Sequence, residues 1–185
     1  NALLDLGVKK GDRIATLAWN SYRHLELYYA VSGVGAVCHT INPRLSADQM
    51  LYIIEHAGDT ILFVDTSFVP IIEQLASKLP KNLVIIVMAS SASMSNLSDQ
   101  YLSYEKLLSE SSEKMVWPEL PENTAAGLCY TSGTTGNPKG ALYSHRSTVL
   151  HALTISLNMG LYLGNGKKVL PVVPLFHVNA WGLPY

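Results

Sequence analysis

The sequence is poor in charge and in cysteine, and it lacks any long apolar run. Lys and Arg number 13 and Asp and Glu 14 in 185 residues, for a net charge of -1. No basic cluster stands out, which argues against a nucleic-acid partner. The two cysteines, Cys38 and Cys129, lie 91 positions apart without CxxC spacing. A disulfide or a zinc site is disfavoured, and a reducing, cytoplasmic setting is the default. The most apolar stretch, Tyr28 to Cys38, is 11 residues long and broken by Ser32, Gly33 and Gly35, whereas a membrane span needs about 20. No signal peptide is visible. The sequon Asn96-Leu97-Ser98 would matter only in a secreted protein. The chain opens on Asn1 in what reads as the end of a helix and stops at Tyr185 inside an apolar segment. Both ends read as cut, which leaves targeting, peripheral membrane association and oligomerisation open.

What is present is enough apolar residue, 48%, to fill the core of one globular domain. Strand and helix patterns alternate. Arg13 to Trp19, Val37 to Ile41, Thr60 to Val64 and Leu83 to Met88 read as strands, the last apolar throughout as in a parallel sheet covered on both faces. Helices are expected from Tyr22 to about Val34, from Ser46 to Gly58 and from Val69 to Leu79. The second has a capping box in Ser46 and Gln49 and a glycine stop. Five serines between Ala89 and Ser98 read as an exposed loop, followed by a short helix near Tyr101 to Leu108. A polar connection, Glu113 to Asn123, leads to a strand from Ala126 to Tyr130, a helix from His145 to about Leu161 and a strand from Lys168 to Val173. The alternation implies a layered α/β fold with largely parallel sheets flanked by helices, in two portions, 1–123 and 124–185.

The stretch that carries chemistry is Tyr130-Thr131-Ser132-Gly133-Thr134-Thr135-Gly136-Asn137-Pro138-Lys139-Gly140. Glycines let backbone N–H groups close around an anion, hydroxyls add donors and a magnesium ligand, and a lysine adds a point charge. Such a composition suits a polyphosphate. The same residue types also build ordinary surface turns. The loop is not G-x-x-x-x-G-K-[ST], because Pro138 stands where the second glycine should be and Gly140 follows Lys139. G-x-G and G-x-S-x-G patterns are absent from it.

Thr131 to Gly140 resembles the signature loop of the adenylate-forming superfamily: acyl-CoA synthetases, luciferases and peptide-synthetase adenylation domains. Two further segments agree with that resemblance. Pro174 to Trp181 is similar to the family's next motif, and Thr40 to Leu45 with Leu62 to Asp65 resembles the early part of the same domain. Asn179-Ala180-Trp181 leans toward medium- and long-chain fatty acyl-CoA synthetases. The resemblance implies a two-step reaction using ATP, magnesium and coenzyme A: a fatty carboxylate forms acyl-AMP and pyrophosphate, then the thioester. It assigns the ATP phosphates to Thr131, Ser132, Gly133, Thr134, Thr135, Gly136 and Lys139, with magnesium on the Thr131 hydroxyl. It places Val178 and Trp181 beside the nucleotide and acyl pocket, Trp181 as an aromatic gate, and His177 near the carboxylate and the coenzyme A path. Against these stand plainer roles, Val178 and Trp181 as packing and His177 as a core histidine. The later family motifs and the C-terminal domain with its catalytic lysine are not in this sequence. It therefore reads as an incomplete N-terminal AMP-binding domain, inactive by itself. The alternatives are an aryl-acid or luciferase-like member, or a non-catalytic nucleotide-binding module.

Overall fold

A computed structural model describes residues 1–131, 136–157 and 168–185 of the chain. Seven strands form one sheet in the order β5-β4-β3-β1-β2-β6-β7. They are β1 (Arg13–Leu17), β2 (Val37–Thr40), β3 (Asp59–Val64), β4 (Val84–Val87), β5 (Leu102–Ser103), β6 (Ala125–Thr131) and β7 (Lys139–Ser144). Every pairing is parallel except β6 with β7. The helices are α1 (Ala2–Asp5), α2 (Tyr22–Gly33), α3 (Ala47–Ala57), α4 (Val69–Leu75), α5 (Tyr104–Glu110) and α6 (His145–Ser156). Among the described residues no helix is long and apolar enough to cross a membrane.

The alternation of side chains along each strand divides the core in two. Ile14, Cys38, Ile61, Phe63 and Ile86 face one way and pack with Leu27, Tyr28 and Val31 of α2. Ala15, Leu17, Leu62, Val64 and Val87 face the other way and pack with Met50, Ile53 and Ile54 of α3 and Ile72 and Leu75 of α4. The capping box forms as expected: Ser46 Oγ accepts from Gln49 N–H, and Gln49 Oε1 accepts from the Ser46 backbone N–H. Gly58 ends α3 in a left-handed conformation.

The structure differs from the sequence expectation in several places, beginning with β1, which ends at Leu17 rather than Trp19, and α4, which ends at Leu75 rather than Leu79. Tyr101 to Ser103 is not helical; β5 occupies Leu102–Ser103 and Ser103 caps α5. β5 pairs only with Ile86 and Val87, and these two are buried whereas Val84 is 36% exposed, so β4 is covered on both faces only at its end. Lys168 to Val173 forms no strand. Its apolar side chains find no ladder among the described residues, and Leu170 and Val172 are exposed. The sequence reading also missed β7, a strand with no buried residue whose KGALYS pattern has no clear alternation. The expected end of the helix beyond Leu157 lies outside the described residues.

Two histidines are buried in the sheet region. His39 and Asp59 pair within β2 and β3, His39 Nδ1 lying 2.8 Å from Asp59 Oδ2, with both side chains fully enclosed. Burial raises the Asp59 carboxyl, and the His39 partner opposes that. His24 of α2 sits between Thr16 and the end of β1. Its Nδ1 donates to the Trp19 carbonyl at 3.1 Å, and its Nε2 accepts from the Thr16 hydroxyl at 2.9 Å. Those two bonds define a neutral ring with both nitrogens satisfied.

Candidate functional site

In an open parallel sheet, ligands sit outside the carboxyl ends of the strands, where the chain reverses its direction of travel across the sheet. Here β1 is followed on one side by β2 and on the other by β3, so that point lies beside β1. The carboxyl ends of β1, β2 and β6 share one edge of the sheet. The loop from Thr131 leaves β6 at this edge, and β7 brings the chain straight back. The antiparallel register pairs Thr131 with Lys139 and Tyr130 with Gly140. Both Thr131 and Lys139 are exposed, and the Thr131 hydroxyl lies 3.5 Å from the Lys139 carbonyl oxygen. The hairpin thus sets a threonine and a lysine opposite each other at the mouth of the loop. Ser132, Gly133, Thr134 and Thr135 lie outside the described residues. Gly136 follows them, exposed, on the way into β7.

The second motif arrives at the same edge from the far end of the chain. Asn20, just past β1, accepts the Leu175 N–H at 2.6 Å on its Oδ1. The Tyr28 hydroxyl donates to the Leu175 carbonyl and the Tyr29 hydroxyl to the Pro184 carbonyl. Leu175 and Phe176 are buried. Thr40, the last residue of β2, donates to Asn179 Oδ1 at 2.9 Å. The Asn179 side chain lies so close over Gly127 of β6 that a Cβ there would come within 2.7 Å of its Nδ2.

The segment's three candidate residues are not core. His177 is exposed, Val178 is 37% exposed and Trp181 is 67% exposed. Their neighbours Asn179 and Ala180, like Leu175 and Phe176 before them, are buried. Within these 185 residues, that division places Trp181 outside the core. It follows from an unusual backbone: Val178, Asn179, Ala180 and Trp181 hold φ of +49°, +48°, +49° and +57°. A left-handed run costs about 1–2 kcal/mol per L-residue and persists only where surroundings over-determine it, commonly at functional sites.

Trp181 borders a cavity of about 280 Å³ whose wall includes Tyr143, Thr148, His151, Val178, Asn179 and Tyr185. His177 is not part of that wall. The sequence reading gave Asn179, Thr40 and His151 no task. A lone asparagine amid apolar residues was the available signal for Asn179; the other two come from contacts 139 and 30 positions apart along the chain.

Among the described residues no group of three or more His, Cys, Asp or Glu side chains gathers into a metal cluster. Magnesium bound with nucleotide keeps waters and phosphate oxygens as most of its ligands. A single exposed hydroxyl, that of Thr131, suits such an ion.

Comparison with known proteins gives a consistent result. The family model described as AMP-binding enzyme matches residues 1–185. The chain is 52% identical, over its whole length, to a medium-chain-fatty-acid–CoA ligase of Ectopseudomonas oleovorans. It is 48% identical, again over its whole length, to a 3-methylmercaptopropionyl-CoA ligase of Ruegeria lacuscaerulensis. It spans 34% of the length of each of these relatives. Among solved structures, an anthranilate CoA ligase in complex with anthranoyl-AMP superposes with a TM-score of 0.78 at 27% identity, covering 85% of this chain and 30% of that one.

Proposed function

The chain belongs to the family of AMP-binding enzymes, and on that premise we propose that its full-length protein is an ATP-dependent acid–thiol ligase for a medium- or long-chain fatty acid. The carboxylate attacks the α-phosphate of ATP, releasing pyrophosphate, and the thiol of coenzyme A then displaces AMP. Chemistry of this kind rests on positioning and charge stabilisation. The observation that carries the proposal is the meeting of two motifs at one sheet edge: the Thr131–Lys139 rung of the hairpin and the His177–Trp181 segment tied to β2 through Thr40.

In this reading the loop of Thr131, Ser132, Gly133, Thr134, Thr135 and Gly136 holds the β- and γ-phosphates, and the Lys139 ammonium offsets their charge. The Thr131 hydroxyl is one oxygen ligand for magnesium, which neutralises phosphate charge when bound. His177 meets the carboxylate and the coenzyme A path, and Val178 and Trp181 border the acyl chain. The chain is part of the large N-terminal domain, and the catalytic lysine belongs to the remaining length of the protein. The 185 residues alone give no turnover.

A second reading is a short sulfur-bearing acid, favoured by the 48% identity to the 3-methylmercaptopropionyl-CoA ligase. Pyrophosphate release by the full-length protein with decanoate, butyrate and 3-methylmercaptopropionate separates the two. Higher kcat/KM with decanoate supports the fatty-acid assignment, and preference for the short thioether acid replaces it.

The exposure of Trp181 yields a sharper expectation. Trp181→Ala in the full-length protein should change the KM for decanoate and the decanoate-to-butyrate preference several-fold while the KM for ATP stays near wild type. Its thermal stability should fall little, by less than about 1 kcal/mol, as for other surface substitutions. A large drop in Tm with the preference unaltered would return Trp181 to a packing role.

A further inference from the structure

The left-handed turn under Trp181 needs anchors, because a run of this hand is not self-supporting. The ring itself is no anchor, being 67% exposed. Two tethers hold the turn. One is Asn179, buried and bonded to Thr40 at the end of β2. The other comes from α6, where His151 Nε2 lies 2.8 Å from the carbonyl oxygen of Trp181 itself. A carbonyl only accepts, so Nε2 carries the hydrogen. Gly182, the next residue, lies against the same imidazole, and a side chain there would collide with it. The two tethers differ in kind. The Asn179 tether reaches into the sheet, which fixes it. The His151 tether spans to a helix whose own apolar residues Val149, Leu150 and Leu153 are exposed.

Both His151 and Trp181 line the cavity of about 280 Å³. An aliphatic chain entering it would meet the imidazole and the indole together. We propose that His151 is a positioning residue: by holding the Trp181 carbonyl it sets the angle at which the indole stands over the cavity, and so helps determine which acyl chains are accepted. Thr40 and Asn179 are the fixed end of the turn and His151 the adjustable one. The inference deepens the ligase assignment and rests on it for the identity of the substrate, but not for the existence of the latch.

The test uses the full-length protein with His151→Ala and His151→Gln, the glutamine amide being able to donate to the same carbonyl. His151→Ala should change the ratio of kcat/KM for decanoate over butyrate by about threefold to tenfold, the factor that one net hydrogen bond represents. The KM for ATP should hold, and His151→Gln should recover most of the ratio. An unchanged ratio in a folded His151→Ala protein overturns the proposal, as does an equal loss toward both acids and ATP. A second measurement does not depend on turnover. Acrylamide quenching of Trp181 emission, isolated by difference against Trp181→Phe, should rise in His151→Ala and return in His151→Gln; equal quenching in all three proteins overturns the latch. If the wild-type protein releases no pyrophosphate with any acid, the ligase assignment fails while the quenching result still decides the latch.

Discussion

Replacing Lys139 with alanine in the full-length protein should lower kcat/KM for ATP by about 10- to 100-fold, the loss of one charge-assisted contact worth roughly 1.5–3 kcal/mol. Lys139 opens β7, is exposed, and faces Thr131 across the hairpin. None of the ion pairs among the described residues involves it. The fold therefore makes little use of its charge, and removing the ammonium group should leave Tm almost unchanged. What it removes is a cation beside the loop where phosphate charge would gather. The KM for the acid should change little, since the Trp181 cavity draws no residue from β7 except Tyr143. Lys139→Arg keeps a cation and should recover part of the loss. Wild-type efficiency toward ATP in Lys139→Ala would remove the phosphate role.

Acid should destabilise the protein through His24. Burial holds its ring well below the usual imidazole range, at about 4 against an ordinary 6.5, and the hydrogen bond to the Trp19 carbonyl only partly offsets this. The folded state thus resists protonation while the unfolded chain accepts it. Between about pH 6.5 and 4 the unfolded state binds more protons, so stability is fully present above 6.5 and is lost as pH falls toward 4. A depression from 6.5 to about 4 corresponds to roughly 3 kcal/mol. Denaturant unfolding at a series of pH values reads this slope directly. His24→Gln should be less stable at neutral pH, because the Thr16 and Trp19 contacts are compromised, but should show a flatter dependence across the same window. An identical slope in wild type and His24→Gln would assign the acid sensitivity to other groups.

How far the residues reveal the structure depends on the range of the interactions involved. The parallel core of β1 to β4 is legible because each strand is a short apolar run and every connection carries its own helix signal, down to the capping box of Ser46 and Gln49. Strands whose existence depends on a partner are not. Lys168 to Val173 has the composition of a strand and pairs with nothing among the described residues, whereas Lys139–Ser144 has little strand pattern and becomes β7 because β6 lies beside it. At the candidate site, Thr131 and Lys139 could be found from residue types alone, and their pairing follows from the hairpin. The left-handed turn could not be. Val178, Asn179, Ala180 and Trp181 contain no glycine to announce positive φ, and the anchors Thr40 and His151 are remote in sequence.

The central claim is that the Thr131–Lys139 loop serves adenylation, and the products of ATP turnover test it most directly. Full-length protein incubated with ATP, magnesium, coenzyme A and decanoate should release AMP and pyrophosphate in equal amounts, and only when the acid is present. Release of ADP and inorganic phosphate instead, or turnover indifferent to the carboxylate, would contradict it.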